Sequence, residues 1–299
     1  MKKAVQQLTR VVTALAAAVL SVLSFPALAQ TLGSAALQQK HAVISAQLAQ
    51  NVFKRPLLLE SAETRNSVAG NAYAVINAPF ATLNAIIKDP AKWCDMLILH
   101  LNTKGCAAPA GSGSSVLVLH VGKKTPQQLK DASRLEFSFR PIASAANYGA
   151  AGLQADQGPF GTKNYRIELE AVPLPDGKTF MHLRYGYEFG TAAKLAMQGY
   201  LSTVGTGKVG FSVAANAPKG ELIGGARGAV ERNTMRYYLA IEAYLSALSL
   251  PQSQQEQARL ANWFDSSEQY ARQLREISRP DYMAMKLDEL ARQHSKVLN

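Results

Sequence analysis

Two histidines offer the chain's main prospects for chemistry. His100 and His182 are the candidates for a general base, with Asp95, Glu188 and Arg184 as companions. An imidazole serves as a base only when a carboxylate or carbonyl fixes its second nitrogen, and no spacing in the chain supplies one. A histidine satisfied in the core or at the surface is the simpler reading of each. No serine stands in a nucleophile-elbow pattern. Cys94 and Cys106 are the chain's two cysteines. An even count at close spacing in an oxidising compartment reads as a disulfide, which leaves no free thiol for covalent catalysis. Closing so short a loop is worth ~3 kcal/mol in the chain-entropy model. A metal site at these cysteines lacks ligands, since only His100 is close and the spacing is unlike that of zinc modules.

Gly205-Thr206-Gly207-Lys208-Val209-Gly210 matches the dinucleotide-binding glycine pattern in letters. The motif needs a helix next, where Phe211-Ser212-Val213 reads as strand, and no cofactor is expected there. The same run is not a P-loop, because Val209 follows Gly207-Lys208. The chain thus reads as a binding protein rather than an enzyme.

The element that must position these residues is the stretch from Gly228 to Leu248. Val230, Thr234, Tyr237, Tyr238, Ile241, Tyr244, Leu245 and Leu248 fall on one side of a helix, with Arg232, Asn233, Arg236, Ala240 and Ala243 opposite. Such a helix spans roughly 30 Å, enough to cross one face of a curved sheet. Glu231 and Glu242 flank its apolar stripe, where pairing with a strand arginine such as Arg166 or Arg184 is the common outcome. Met235 and Leu239 lie outside both groups and call for cover from elsewhere.

Before that helix the chain reads mostly as strands. Ser34 to Phe53 has a helical pattern, and Leu57 to Ser61 with Val68 to Ile76 reads as an opening hairpin. Short helices follow from Pro79 to Ile87 and from Asp89, as N-cap with Pro90 in the first turn, to His100 or Leu101. Val116 to Val121, Arg134 to Ile142, Tyr165 to Pro173, Thr179 to Phe189, Lys194 to Val204 and Lys208 to Ala214 read as strands, with Asn147 to Gly161 as a long loop. Leu135, Phe137 and Phe139 alternate with charged or polar residues, as do Tyr165, Ile167 and Leu169, the mark of an antiparallel sheet with one face inward. Beyond Pro251 come amphipathic helices broken at Ser266 and Arg279-Pro280, read as an appendage or as a partner-binding arm.

Lys2, Lys3 and Arg10, an apolar run from Val11 to Phe25, and Ala27-Leu28-Ala29 predict a signal peptide cleaved after Ala29 and a periplasmic protein. Its removal lowers the formal net charge from +11 to +8. A basic exported protein favours an anionic membrane surface over nucleic acid, unless the charge only maintains solubility.

Val75-Ile76-Asn77-Ala78-Pro79-Phe80, the helix to Ile87, Asp89-Pro90, Trp93 and the helix from Gly228 together resemble the START-like, helix-grip superfamily. The resemblance covers roughly Leu57 to Leu248. Within the superfamily it is closest to uncharacterised exported proteobacterial proteins that share Trp93-Cys94-Asp95, Leu99-His100-Leu101-Asn102 and Glu231-Arg232-Asn233. It implies an α+β helix-grip fold, a curved antiparallel sheet wrapped around a long helix. Here that fold carries a signal peptide at 1–29, a helical lead-in at 30–56, the START-like domain at 57–250 and a helical extension at 251–299. It further implies a cavity between sheet and helix for a lipid or other apolar small molecule, lined by Trp93, Leu97, His100, Phe137, Phe139, His182, Tyr237, Tyr238, Ile241 and Tyr244. Solid packing of that space is the competing reading. A cyclase- or hydrolase-like enzyme in the same cavity, and an envelope interaction protein acting through the tail, are the functional alternatives.

Overall fold

Alternating apolar residues build the sheet, and the chain's opening hairpin pairs with its last strand. The computed structural model describes residues 33–108, 115–203, 206–214 and 220–295, so the stretch read as a signal peptide lies outside the described residues. Helix α1 (Ser34–Ala49) leads into the hairpin β1 (Leu57–Glu63) and β2 (Ser67–Ile76), followed by α2 (Phe80–Ile87) and α3 (Pro90–Leu97). Then come β3 (Thr103–Ala107), β4 (Val116–Val121), β5 (Ser133–Ala145), β6 (Tyr148–Gln157), β7 (Thr162–Pro173) and β8 (Thr179–Phe189). Helices α4 (Thr191–Ser202), α5 (Gly225–Ala247), α6 (Gln252–Glu268), α7 (Ala271–Leu274) and α8 (Arg279–His294) complete the chain. The eight strands form one antiparallel sheet in the order β1-β2-β8-β7-β6-β5-β4-β3.

Period-two patterning gives this sheet two buried faces. Leu183, Tyr185 and Tyr187 of β8, Ile167 and Leu169 of β7 and Phe137 and Phe139 of β5 point into the main core, toward α5. Phe180, Val172, Tyr73 and Tyr148 point the other way, where Leu37, Ile44 and Leu48 of α1 cover them. Gly70 lets α5 lie directly on β2: a Cβ there would stand 2.3 Å from Thr234 Oγ1.

The short helices are fixed as their caps predict. Asp89 Oδ1 accepts from Ala91 N at 2.9 Å, and Pro90 occupies the first turn of α3. Cys94 and Cys106 form a disulfide that ties α3 to β3. The edge strand β3 is also covered by α8, whose Gln293 Oε1 accepts from Cys106 N at 3.1 Å.

Several expectations are corrected. Helix α3 ends at Leu97 rather than at His100 or Leu101, and β3, a strand not expected from the sequence, follows it. The stretch 148–157 is strand β6 rather than loop: its small residues are buried, and Gly149 lies so close to Asn84 of α2 that a Cβ would fall 2.1 Å from Oδ1. Thr191–Ser202 is a helix, for two reasons. Ala, Leu, Met and Gln favour it, and β8 already has partners on both sides, so no sheet edge is left for a further strand there. Residues 208–214 stand outside the sheet: they bridge to 221–223 around Val213–Leu222 through Gly210 N, Ala214 N and Ile223 N, while Phe211 N and Ser212 N donate to the Glu231 carboxylate. Helix α6 runs through Ser266 without a break.

The C-terminal helices pack into the main core. Trp263, Tyr282, Met285 and Leu290 belong to it, and Trp263 Nε1 donates to the Arg236 carbonyl at 3.0 Å. They pack on α5, and Met235 and Leu239, which call for cover, are fully buried; Ala240 and Ala243, expected opposite the apolar stripe, are buried as well. A fully buried cluster anchors α8. Lys104 and Lys286 share the Glu289 carboxylate at 3.1 and 2.7 Å, and Lys286 Nζ also donates to the His100 and Thr103 carbonyls.

Candidate functional site

The concave face of the sheet and α5 enclose a small apolar cavity of about 20 Å³. Trp93, Met96 and Leu97 of α3, Ile167 and Leu169 of β7, Leu183 of β8, and Tyr237, Ala240 and Ile241 of α5 line it. That is room for one water, with almost no polar partner for it. Trp93 is fixed by its indole N–H, which donates to the Ile87 carbonyl at 2.9 Å, and Phe139 meets its ring edge-on at 6.3 Å.

Tyrosines form the rim toward the start of α5. Tyr237 packs on Tyr185 at 5.2 Å between centroids, Tyr165 stacks on Tyr187 at 5.0 Å, and Phe137 meets Tyr165 edge-on at 6.5 Å. Burial raises the pKa of the Tyr165, Tyr185, Tyr187 and Tyr237 hydroxyls, so they stay neutral across the physiological range. Tyr165 and Tyr237 are half-buried.

His100 stands behind Tyr237, ring to ring at 5.0 Å. Its Nδ1 accepts the Asn102 backbone N–H at 3.1 Å, which assigns the proton of the neutral ring to Nε2. Asn233 stands beside Nε2, but no well-formed hydrogen bond closes on that atom. Burial, reinforced by Arg236, Lys286 and Lys124, pushes the imidazole well below the ordinary histidine range. His100 is therefore a neutral donor whose remaining lone pair is already taken, an arrangement unsuited to a general base.

A basic cluster borders this rim. Lys124, Arg236 and Lys208 converge on Glu276 at 2.6, 2.9 and 3.5 Å. Burial raises the Glu276 pKa, but the three cations outweigh it and the net shift is downward. The Lys124 ammonium is lowered to about 8 by burial, with Arg236 adding repulsion.

Of the residues expected at the ligand site, Trp93, Leu97, Tyr237 and Ile241 line the cavity, and His100, Phe137 and Phe139 adjoin that group. Three stand elsewhere. His182 is on the opposite face of the sheet, its Nδ1 against Glu170 Oε1 at 2.8 Å, its Nε2 against Asn71 Oδ1 at 2.9 Å, and its ring stacked on Tyr73. Tyr238 donates to Glu242 Oε1, which with Arg55 ties α5 to the segment before β1. Tyr244 faces α6 under the Arg259 guanidinium at 4.1 Å. Tyr185, Tyr187, Lys124, Asn233 and Glu276 were not singled out for the site. The alternation Leu183, Tyr185, Tyr187, Phe189 carried the signal for two of them, and it places His182 on the other face.

On that other face, α1 and the sheet bound an open recess of about 300 Å³ lined by His41, Ser45, Leu48, Ala49, Pro56, Val75, Asn77 and Lys178. Glu231, in contrast, is wholly structural: it is fully buried and accepts from Phe211 N, Ser212 N, Ser212 Oγ and Ser61 Oγ. Among the described residues no group of three or more potential ligands could hold a metal ion, and no helix is long and apolar enough to cross a membrane.

No family model and no curated relative matches the chain. Solved structures do. A START superfamily protein from Mycobacterium smegmatis is 17% identical, with 47% of this chain and 92% of that chain covered at a TM-score of 0.31. Human StAR-related lipid transfer protein 5 is 9% identical, with 79% and 97% covered at 0.30. A conserved protein of unknown function from Enterococcus faecalis is 8% identical, with 83% and 97% covered at 0.31. The strand order and the long helix packed on the concave face give this chain a START-like, helix-grip fold.

Proposed function

We propose that this protein is an exported, periplasmic binder or carrier of a lipid or other apolar small molecule, held without covalent chemistry between the sheet and α5. The observation that carries the reading is the apolar cavity beneath a rim of half-buried tyrosines, at the place where sheet and helix face each other. At about 20 Å³ the cavity is far below the roughly 300 Å³ or more that a drug-sized ligand needs. Loading therefore requires the wall to open. Export is supported by the basic and apolar N-terminal pattern and by the Cys94–Cys106 disulfide.

Native mass spectrometry of protein purified from periplasm, with identification of whatever leaves on denaturation, tests this reading. A stoichiometric apolar adduct is expected. A clean apo mass, together with no uptake from mixed phospholipid vesicles, would sink it.

A further inference from the structure

Space of ligand size lies on the sheet's other face. The recess between α1 and the sheet measures about 300 Å³, the lower end of the range for small-molecule pockets, against about 20 Å³ for the concave cavity. At roughly 30 Å³ for each water-sized group, it takes about ten of them. Its wall is apolar at Leu48, Ala49, Pro56 and Val75, and among the described residues no acidic side chain lines it. Three other residues of the wall carry N–H groups: His41, Asn77 and Lys178. His41 is half-buried, its ring 4.8 Å from that of Phe180, yet among the described residues neither ring nitrogen has a hydrogen bond. The Asn77 side-chain amide has none there either. Lys178 Nζ meets Asp176 Oδ2 at 2.7 Å in a solvent-exposed pair, which leaves the ammonium further N–H groups to offer.

We infer that the α1 recess is a second ligand site, separate from the concave face, for a small molecule with an apolar body and a carboxylate head, in its simplest form a medium-chain fatty acid. The body covers Leu48, Pro56 and Val75, and removing that apolar surface from water supplies the larger part of the binding. The three N–H groups select an oxygen acceptor as head. Lys178 makes a charged oxygen better than a neutral one, because a charge-assisted hydrogen bond is the stronger. Asp176 shares that ammonium, so the preference for charge is moderate. The recess is formed without any opening of the concave wall, and this inference does not depend on the reading of that face.

The test is calorimetric titration of the full exported chain near pH 7 with octanoate, 1-octanol and acetate, with backbone amide NMR shifts to place the binding. Octanoate is expected to bind about fivefold more tightly than octanol, the margin of a charge-assisted over a neutral hydrogen bond, with acetate undetected. The shifts should cluster at His41 to Ala49, Val75, Asn77 and Lys178. Ala49 is an exposed wall residue, and Ala49→Trp should fill the recess and weaken octanoate at least about tenfold. Lys178→Met should bring octanoate down to octanol, and Asp176→Asn, which releases Lys178, should strengthen it. If Ala49→Trp does not fold, the wild-type shifts decide. Shifts centred on Leu97, Ile167 and Ile241 would put octanoate in the concave cavity, which supports that site and overturns this one. Equal binding of octanoate and octanol overturns the carboxylate assignment, and acetate as strong as octanoate overturns it in favour of a free-anion site. A ligand-free dimer that Ala49→Trp disperses would give the recess to a second copy. No binding of octanoate overturns the recess site and leaves the concave face to its own adduct measurement.

Discussion

The two faces of one sheet treat the same side chain in opposite ways. On the face under α1, His182 has both ring nitrogens engaged, by Glu170 and Asn71, and Glu170 also accepts from Tyr148 Oη at 2.9 Å and from Gly33 N at 3.3 Å. On the face under α5, His100 has one nitrogen engaged and the other without a closed bond. The first arrangement clamps a helix to a sheet. The second keeps a donor in reserve beside a cavity. Fully satisfied polar networks rigidify a fold, and a donor in reserve is where recognition can happen.

The comparison is tested most severely through the groups that hold each histidine. Lys286 donates to the His100 carbonyl at 2.7 Å and depends on Glu289, as does Lys104. Glu289→Ala strands two buried ammonium groups and is expected to cost about 4 kcal/mol in urea unfolding, or to prevent folding. A loss below about 1 kcal/mol would mean that the tail does not position His100. On the other face, Glu170→Ala removes the shared acceptor of His182, Tyr148 and Gly33, and about 3 kcal/mol is expected. Ligand uptake should survive Glu170→Ala in the folded fraction; its loss would show that the α1 face belongs to the binding site after all.

Next in size is the disulfide. Cys94 lies one residue from Trp93 and two from Met96, both cavity residues, so the bridge to Cys106 holds one wall of the concave site. Replacing both cysteines by serine should lower stability by ~3 kcal/mol, read as a shifted urea midpoint at constant slope. An unchanged midpoint would place the constraint in the packing of α8 on β3 instead.

Why the two histidines were not separable in advance shows how much of the molecule is legible in its sequence. The hairpin β1–β2, the capped helix α3, the disulfide and the long helix α5 each rest on short-range signals: alternation, an Asp-Pro cap, paired cysteines and helical period. The face of each strand is also local, and the run Leu183, Tyr185, Tyr187, Phe189 already sets His182 apart. What is not local is which polar group meets which. Lys104 and Lys286 look like surface residues until Glu289, more than 180 positions from Lys104, closes the cluster. Lys208 and Glu276 join the His100 rim only because the tail folds back over α5. The stretch 208–214 patterns as a strand, yet the buried Glu231 carboxylate takes the Phe211 and Ser212 N–H groups, and Gly210 N and Ala214 N pair with 221–223 outside the main sheet. Long-range charge pairing decides these points, and periodicity carries no trace of it.

The smallest expected effect bears most directly on the comparison. His100 is buried and its pKa lies well below the ordinary value of about 6.5. The unfolded chain therefore binds more protons than the folded one as pH falls below about 6.5, so this group's stabilising contribution is fully present above that pH and is lost progressively below it. The slope owed to one such group is at most about 1.4 kcal/mol per pH unit. Asp95 and Glu168, whose pKa values burial raises, add an acid dependence of the opposite sign, so the wild-type curve alone does not isolate His100. The difference between wild type and His100→Gln does. The variant should be less sensitive to acid between about pH 6.5 and 5, and nitrogen NMR should show His100 neutral throughout that window, with its proton on Nε2. An imidazolium signal from His100 near pH 6 would mean that the rim stabilises a cation, and the reserve donor that separates the two faces of the sheet would no longer be there.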